Sequence, residues 1–203
     1  MNYQVFFDII DVGDLKMNKK TNKPKNIIVM KVGPHSNMSL DDIVKSKIDE
    51  EKIHGVHYWG YSGVFCHPSK VQEFCENVKK ETEGIIKLIL IETKSTYESS
   101  IGFIKYFSKD NINFEKFSKP VQLQGAQFSF VSRKLKKIDN FNLEDYIVVG
   151  GKNNGIPLNQ HLKYRVNKSF AQLNTDIEKH CSSNNIEVYE AELVYPYAIW
   201  LKD

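Results

Sequence analysis

The run from Ile85 to Glu92 (Ile-Ile-Lys-Leu-Ile-Leu-Ile-Glu) constrains this chain more than any other. It is nearly unbroken apolar, closed off upstream by Gly84, and too short to be a helix that buries itself all round, so it reads as a central strand of a sheet. Its neighbours carry the complementary signal. Val71, Phe74, Cys75 and Val78 fall at i, i+3, i+4 and i+7 and predict a helix opening at Pro68 with one buried face. Ser39-Leu40-Asp41-Asp42-Ile43 gives a second helix start, with Ser39 as cap and two carboxylates at the positive end; Leu40, Ile43, Val44 and Ile48 form its stripe, to about Lys52.

Strand signals recur along the chain. Tyr3 to Asp11 and Asn26 to Val32 are rich in β-branched and aromatic residues, and the polar loop between them carries Lys16, Lys19, Lys20, Lys23 and Lys25, which predicts an antiparallel hairpin with a basic tip. Ile101 to Phe107 reads as a strand, and Ser108 to Pro120 as a long surface connection. Val121 to Val131 alternates around a bulge or bend at Gly125, and Arg133 to Lys137 is a basic cluster beside it. Tyr146 to Val149 is a short strand. Pro157 to Leu173 reads as a third helix with Leu158, Leu162, Val166, Phe170 and Leu173 on one side, and Ile186 to Leu201 as a strand with an edge or bend at Pro196. The expected architecture is therefore a single α+β domain over residues 1–203, with a mixed or largely antiparallel sheet, about three helices packed on it and a soft division near 108–120.

The composition narrows the function classes. With 41% hydrophobic and 26% charged residues the chain is an ordinary globular sequence, and its formal net charge of +3 does not by itself argue for nucleic acid. No apolar run is long enough to span a membrane and no signal peptide is apparent, which points to a cytoplasmic protein. Three cysteines, Cys66, Cys75 and Cys181, are too few and odd for a secreted disulfide framework. Only Arg133 and Arg165 among the 28 basic residues are arginines, so bidentate phosphate or carboxylate contacts have two side chains to draw on.

Candidate chemistry concentrates between Ile53 and Pro68, where three of the six histidines, His54, His57 and His67, stand with Tyr58, Trp59, Tyr61, Gly60, Gly63 and Cys66. His54, His57, Cys66 and His67 offer nitrogen and sulfur ligands, but the spacing fits no zinc motif and Cys75 belongs to the helix stripe, so no metal and no cofactor is assigned. The expected use is recognition of a flat anionic ligand: Tyr58, Trp59 and Tyr61 stacking beside glycines, and His67 with the Pro68 helix start holding a phosphate. Gly150-Gly-Lys-Asn-Asn-Gly155 lacks the P-loop pattern, and its Lys152, with Arg165, supplies a second phosphate contact. This predicts a cytoplasmic nucleotide- or nucleic-acid-binding protein. The alternatives are a small hydrolase or nuclease using His57 and His67 on phosphodiesters, and a protein-interaction or inhibitory factor presenting an aromatic patch. Met30-Lys31, Ser39 to Ile43 and Gly55-Val56 resemble the opening of EVE domains, PUA-like modules associated with nucleic-acid bases; the strand predicted before them departs from that pattern, and no residue role is carried across.

Overall fold

A computed structural model describes residues 23–34, 38–82, 84–93, 101–139, 141–163, 166–175 and 187–203. The elements in chain order are β1 (Asn26–Val32), α1 (Leu40–His54), β2 (His57–Tyr61), α2 (Pro68–Thr82), β3 (Lys87–Glu92), β4 (Ile101–Ser108), β5 (Phe114–Gln124), β6 (Phe128–Ile138), β7 (Tyr146–Val148), α3 (Leu158–Leu162), β8 (Lys168–Leu173) and β9 (Val188–Lys202). They form an α+β fold on a nine-stranded mixed sheet, ordered β2-β6-β9-β3-β1-β8-β7, with the β4–β5 hairpin joined to it through β9. β1 and β3 run parallel, and every other pairing of strands is antiparallel.

β3 is central, between β9 and β1, because its side chains are apolar on both faces. Alternation sends Leu88 and Leu90, with Ile28 of β1, into the core beneath α1 and α2. Ile89 and Ile91, with Ile27 and Val29, go into the core under α3. A third core, built from Tyr58, Ile104, Phe117, Val121, Leu123, Ala126, Val131 and Ile199, lies inside the curl that brings β5 back against β2. The curl requires Gly60: a Cβ there would stand 2.8 Å from the Ala126 Cβ and 3.3 Å from Leu123 Cδ2.

α1 starts as its sequence dictates. The Ser39 hydroxyl accepts from the Asp42 amide and the Asp42 carboxylate accepts from the Ser39 amide, a complete capping box, while Gly55 at φ +74° ends the helix. Its buried face differs from the apolar stripe. Leu40 and Ile43 are buried, but Lys47 turns inward and Ile48 stays 40% exposed.

The expected helix from Pro157 to Leu173 is not one helix. Among the described residues of this stretch Leu158–Leu162 alone is helical, and Lys168–Leu173 is strand β8, paired between β1 and β7. Four-residue apolar spacing mimicked a helix face, but Lys168 to Gln172 also satisfies the open edge of β1, and those ladder hydrogen bonds decide. Likewise Ser108 to Pro120 is no long connection. The Asp110 carboxylate accepts from the Ile112 and Asn113 amides and from the Ser108 hydroxyl, which tightens a turn and starts β5 at Phe114. Gly125 lies in the turn from β5 to β6 instead of a bulge inside one strand. Pro196 marks both a bend and a local edge of β9: Val194 to Tyr197, with a cis Tyr195–Pro196 bond, bulge opposite Val131, and among the described residues they lie between the β3 pairing, which ends at Glu192, and the β4 pairing, which begins at Trp200. The predicted strand Tyr3 to Asp11 and the basic tip at Lys16, Lys19 and Lys20 lie outside the described residues. Among the described residues both edges of β1 are paired, with β3 and with β8.

Gly60→Ala is expected to destabilise the fold by about 1–3 kcal/mol, the usual cost of overpacking a filled interior. Chemical denaturation of Gly60→Ala and of Gly60→Ala/Ala126→Gly checks it: the second change should recover most of the loss, and equal stability of the two variants would refute the contact.

Candidate functional site

The loop between β2 and α2 is anchored at both ends and open in the middle. The Ser62 hydroxyl donates to the Gly125 carbonyl and accepts from the Gln127 amide, both at 3.2 Å. The Lys168 ammonium reaches across from β8 to the Ser62 carbonyl at 3.1 Å, over the Tyr61 ring. At the other end the Tyr61 hydroxyl donates to the Cys66 carbonyl at 2.7 Å. Gly63 and Cys66 take positive φ, which turns the chain sharply and buries the Cys66 side chain while Val64 is left 85% exposed and Phe65 59% exposed.

The loop delivers His67 to the start of α2. Its carbonyl accepts the Lys70 and Val71 amides at 2.8 and 3.0 Å, and its Nδ1 is 2.9 Å from the Ser69 hydroxyl. The imidazole stands edge-on to Phe128 and Trp200, with ring centres 5.1 and 5.6 Å away. Two strands distant in sequence, β6 and β9, thus meet at the helix start. α1 carries Asp41 and Asp42 in its first turn, whereas α2 has no acidic residue there, so its positive end is not neutralised by its own side chains.

The three aromatic residues expected to stack on a ligand are not gathered on one surface. Side chains alternate along β2, so His57, Trp59 and Tyr61 face α1 and α2, while Tyr58 points into the opposite core against Phe117. All three are buried: Tyr58 is 8% exposed, Trp59 4% and Tyr61 5%. The exposed ring of this segment is Phe65, and the indole beside the helix start is Trp200, whose position in a strand far along the chain gave no local signal.

His57 and His67 are likewise separate. His57 is fully buried at the head of β2, where its Nδ1 donates to the Ser132 carbonyl at 2.7 Å. Burial and then the nearby Lys47 ammonium push its imidazole down to about 3, so it stays neutral near pH 7. The Cys66 thiol is pushed up to about 12 by burial, and Cys75 also upward, so neither is a ready thiolate. Among the described residues no group of three or more His, Cys, Asp or Glu side chains converges to hold a metal.

Lys152 is exposed on a glycine-rich turn in which the Gly150 amide donates to the Asn154 side chain at 2.8 Å. This turn follows β7, and β7 and β2 are the two ends of the strand order. Arg165 lies outside the described residues. Lys168 is the buried strut under Ser62. The Arg133 to Lys137 cluster is paired: Lys134 meets Glu192 at 3.0 Å, Lys136 meets Glu190 at 3.1 Å, Arg133 meets Glu192 at 3.5 Å and Lys137 meets Glu187.

The buried neutral His57 has a consequence for acid stability. Its folded-state affinity for protons is below the unfolded value of 6.5, so the unfolded chain gains the extra proton as pH falls through 6.5 toward 3, and stability is lost over that window. Urea denaturation at pH 7 and pH 4.5 should show about 2–3 kcal/mol more loss in the parent than in His57→Gln. Equal losses would remove His57 as the cause.

Comparison with known proteins adds no assignment: no protein-family model, no curated protein and no solved structure matches this chain significantly.

Proposed function

We propose that this chain is a cytoplasmic binding protein for a nucleotide or a nucleic-acid strand, with the phosphate held at the start of α2 and a base against Phe65. The observation that carries this reading is the meeting of His67, the unneutralised positive end of α2 and an exposed Phe65 on a loop fixed by Ser62, Tyr61 and Lys168. A phosphate oxygen accepts there from the Ser69 amide and the imidazole N–H, since Pro68 has no N–H and the Lys70 and Val71 amides serve the His67 carbonyl, and an aromatic face accepts any base without reading its sequence. The two described cysteines, Cys66 and Cys75, are free, in keeping with a reducing compartment.

This reading shifts the ligand contact from Tyr58, Trp59 and Tyr61 to Phe65, and leaves Lys152 and Arg165 as second contacts supported by charge alone. The phosphodiesterase reading has less behind it, because His57 is fully buried with its Nδ1 on the Ser132 carbonyl. A protein-docking reading is favoured by one observation, the exposure of Val64 beside Phe65.

Titration with ATP, GTP and short single-stranded RNA and DNA tests the proposal. Trp200 stands beside His67, so its emission is expected to change on binding, and the change should vanish in Trp200→Phe while Trp59 remains. Stacking on one ring contributes ~1–3 kcal/mol, so Phe65→Ala is expected to weaken binding about tenfold or more, and His67→Ala to weaken it with a shallower salt dependence. No binding by any of these ligands overturns the proposal. Retention of a protein partner that Phe65→Ala abolishes, with no nucleotide bound, would replace it with the docking reading.

A further inference from the structure

Between α1 and the edge strand β2 lies a buried polar cluster with no part in the loop site. Lys47, 7% exposed, places its ammonium 3.0 Å from the Glu50 carboxylate and 5.8 Å from the centre of the Trp59 ring. The other Glu50 oxygen accepts from the Tyr58 amide, so the carboxylate serves both the lysine and the outer edge of β2. His57 and Trp59 are neighbours on the same face, with ring centres 5.9 Å apart and planes at 70°.

Two polar atoms in this cluster are fully enclosed without a hydrogen-bond partner, His57 Nε2 and Trp59 Nε1. Leaving them so would cost about 1–3 kcal/mol apiece. Their chemistry is complementary. The bond from His57 Nδ1 to the Ser132 carbonyl places the proton on Nδ1, so Nε2 presents a lone pair and can only accept. The Trp59 indole can only donate. A group that served both would have to donate one hydrogen and accept another, and with the ring centres 5.9 Å apart it would have to be small.

We propose that a single internal water occupies this site, donating to His57 Nε2, accepting from Trp59 Nε1–H and joining Lys47 to the same network. The alternatives fail on charge. An anion would suit Lys47 and the indole but would face the lone pair of Nε2, and a metal cation on Nε2 would stand beside the Lys47 ammonium and the indole hydrogen. A neutral donor and acceptor satisfies all three groups, and buried waters characteristically make two to four such bonds. The water then belongs to the fold as the joint between α1 and β2.

Two NMR measurements on the intact chain test this. The Trp59 indole proton is expected to show a cross-peak to water with the sign of a molecule held longer than the protein tumbles, and the peak should persist in Ser132→Ala, which removes the nearby hydroxyl. A long-range proton–nitrogen correlation of His57 should place Nδ1 in the protonated range and Nε2 in the unprotonated range at pH 7. An observable indole proton with no water cross-peak, a peak lost in Ser132→Ala, or a proton on Nε2 would each overturn the proposal.

Discussion

The parallel pairing of β1 with β3 is the constraint from which the rest of this molecule follows. Ile27 to Val29 and Leu88 to Ile91 are buried on both faces of the sheet, so each face must be covered by other apolar elements. One cover is α1 with α2, inserted between β1 and β3 in the chain; the other is α3 with the segments around β7. A parallel pair also needs a long crossover, and here that crossover contains β2, carried to the far side of β6. The candidate site exists because the crossover must turn from β2 into α2, and the turn is where Phe65 and His67 come to the surface.

Most of the framework was legible because it is written in local patterns. The β3 run, the Ser39 cap of α1 and the α2 stripe through Val71, Cys75 and Val78 are each set by residues within one element. The pattern misled where tertiary pairing overrides local spacing. Leu158, Leu162, Val166 and Phe170 suit a helix by spacing, yet Lys168 to Gln172 pairs along the edge of β1, and that long-range ladder decides.

The site was legible as a segment and not as an arrangement. A dense run of histidine, aromatic and glycine residues from Ile53 to Pro68 correctly marks the β2-to-α2 turn, but composition does not say which side chains face inward. The strand period does: once His57 to Tyr61 is a strand, Tyr58 must oppose Trp59 and Tyr61, and the helices on one face with the β5 curl on the other bury both sets although β2 is an edge strand. Phe128 and Trp200 beside His67 come from long-range pairing of β6 with β9 and have no local signature.

Lysine is the residue whose behaviour departs most from its usual solvated role. Lys47 lies under α1 where the apolar stripe would have put Ile48, and Lys168 reaches under the loop at Ser62; burial lowers the proton affinity of both. Each is retained by a specific oxygen, a Glu50 carboxylate in one case and the Ser62 carbonyl in the other. A buried ammonium with one strong partner fixes geometry more than it adds stability, because desolvation offsets much of the attraction. Lys168 therefore sets where the loop stands, and Lys47 with Glu50 sets where α1 meets the edge of β2. The apolar cores supply the folding energy, and these two lysines decide how the surface turn and the first helix are aimed.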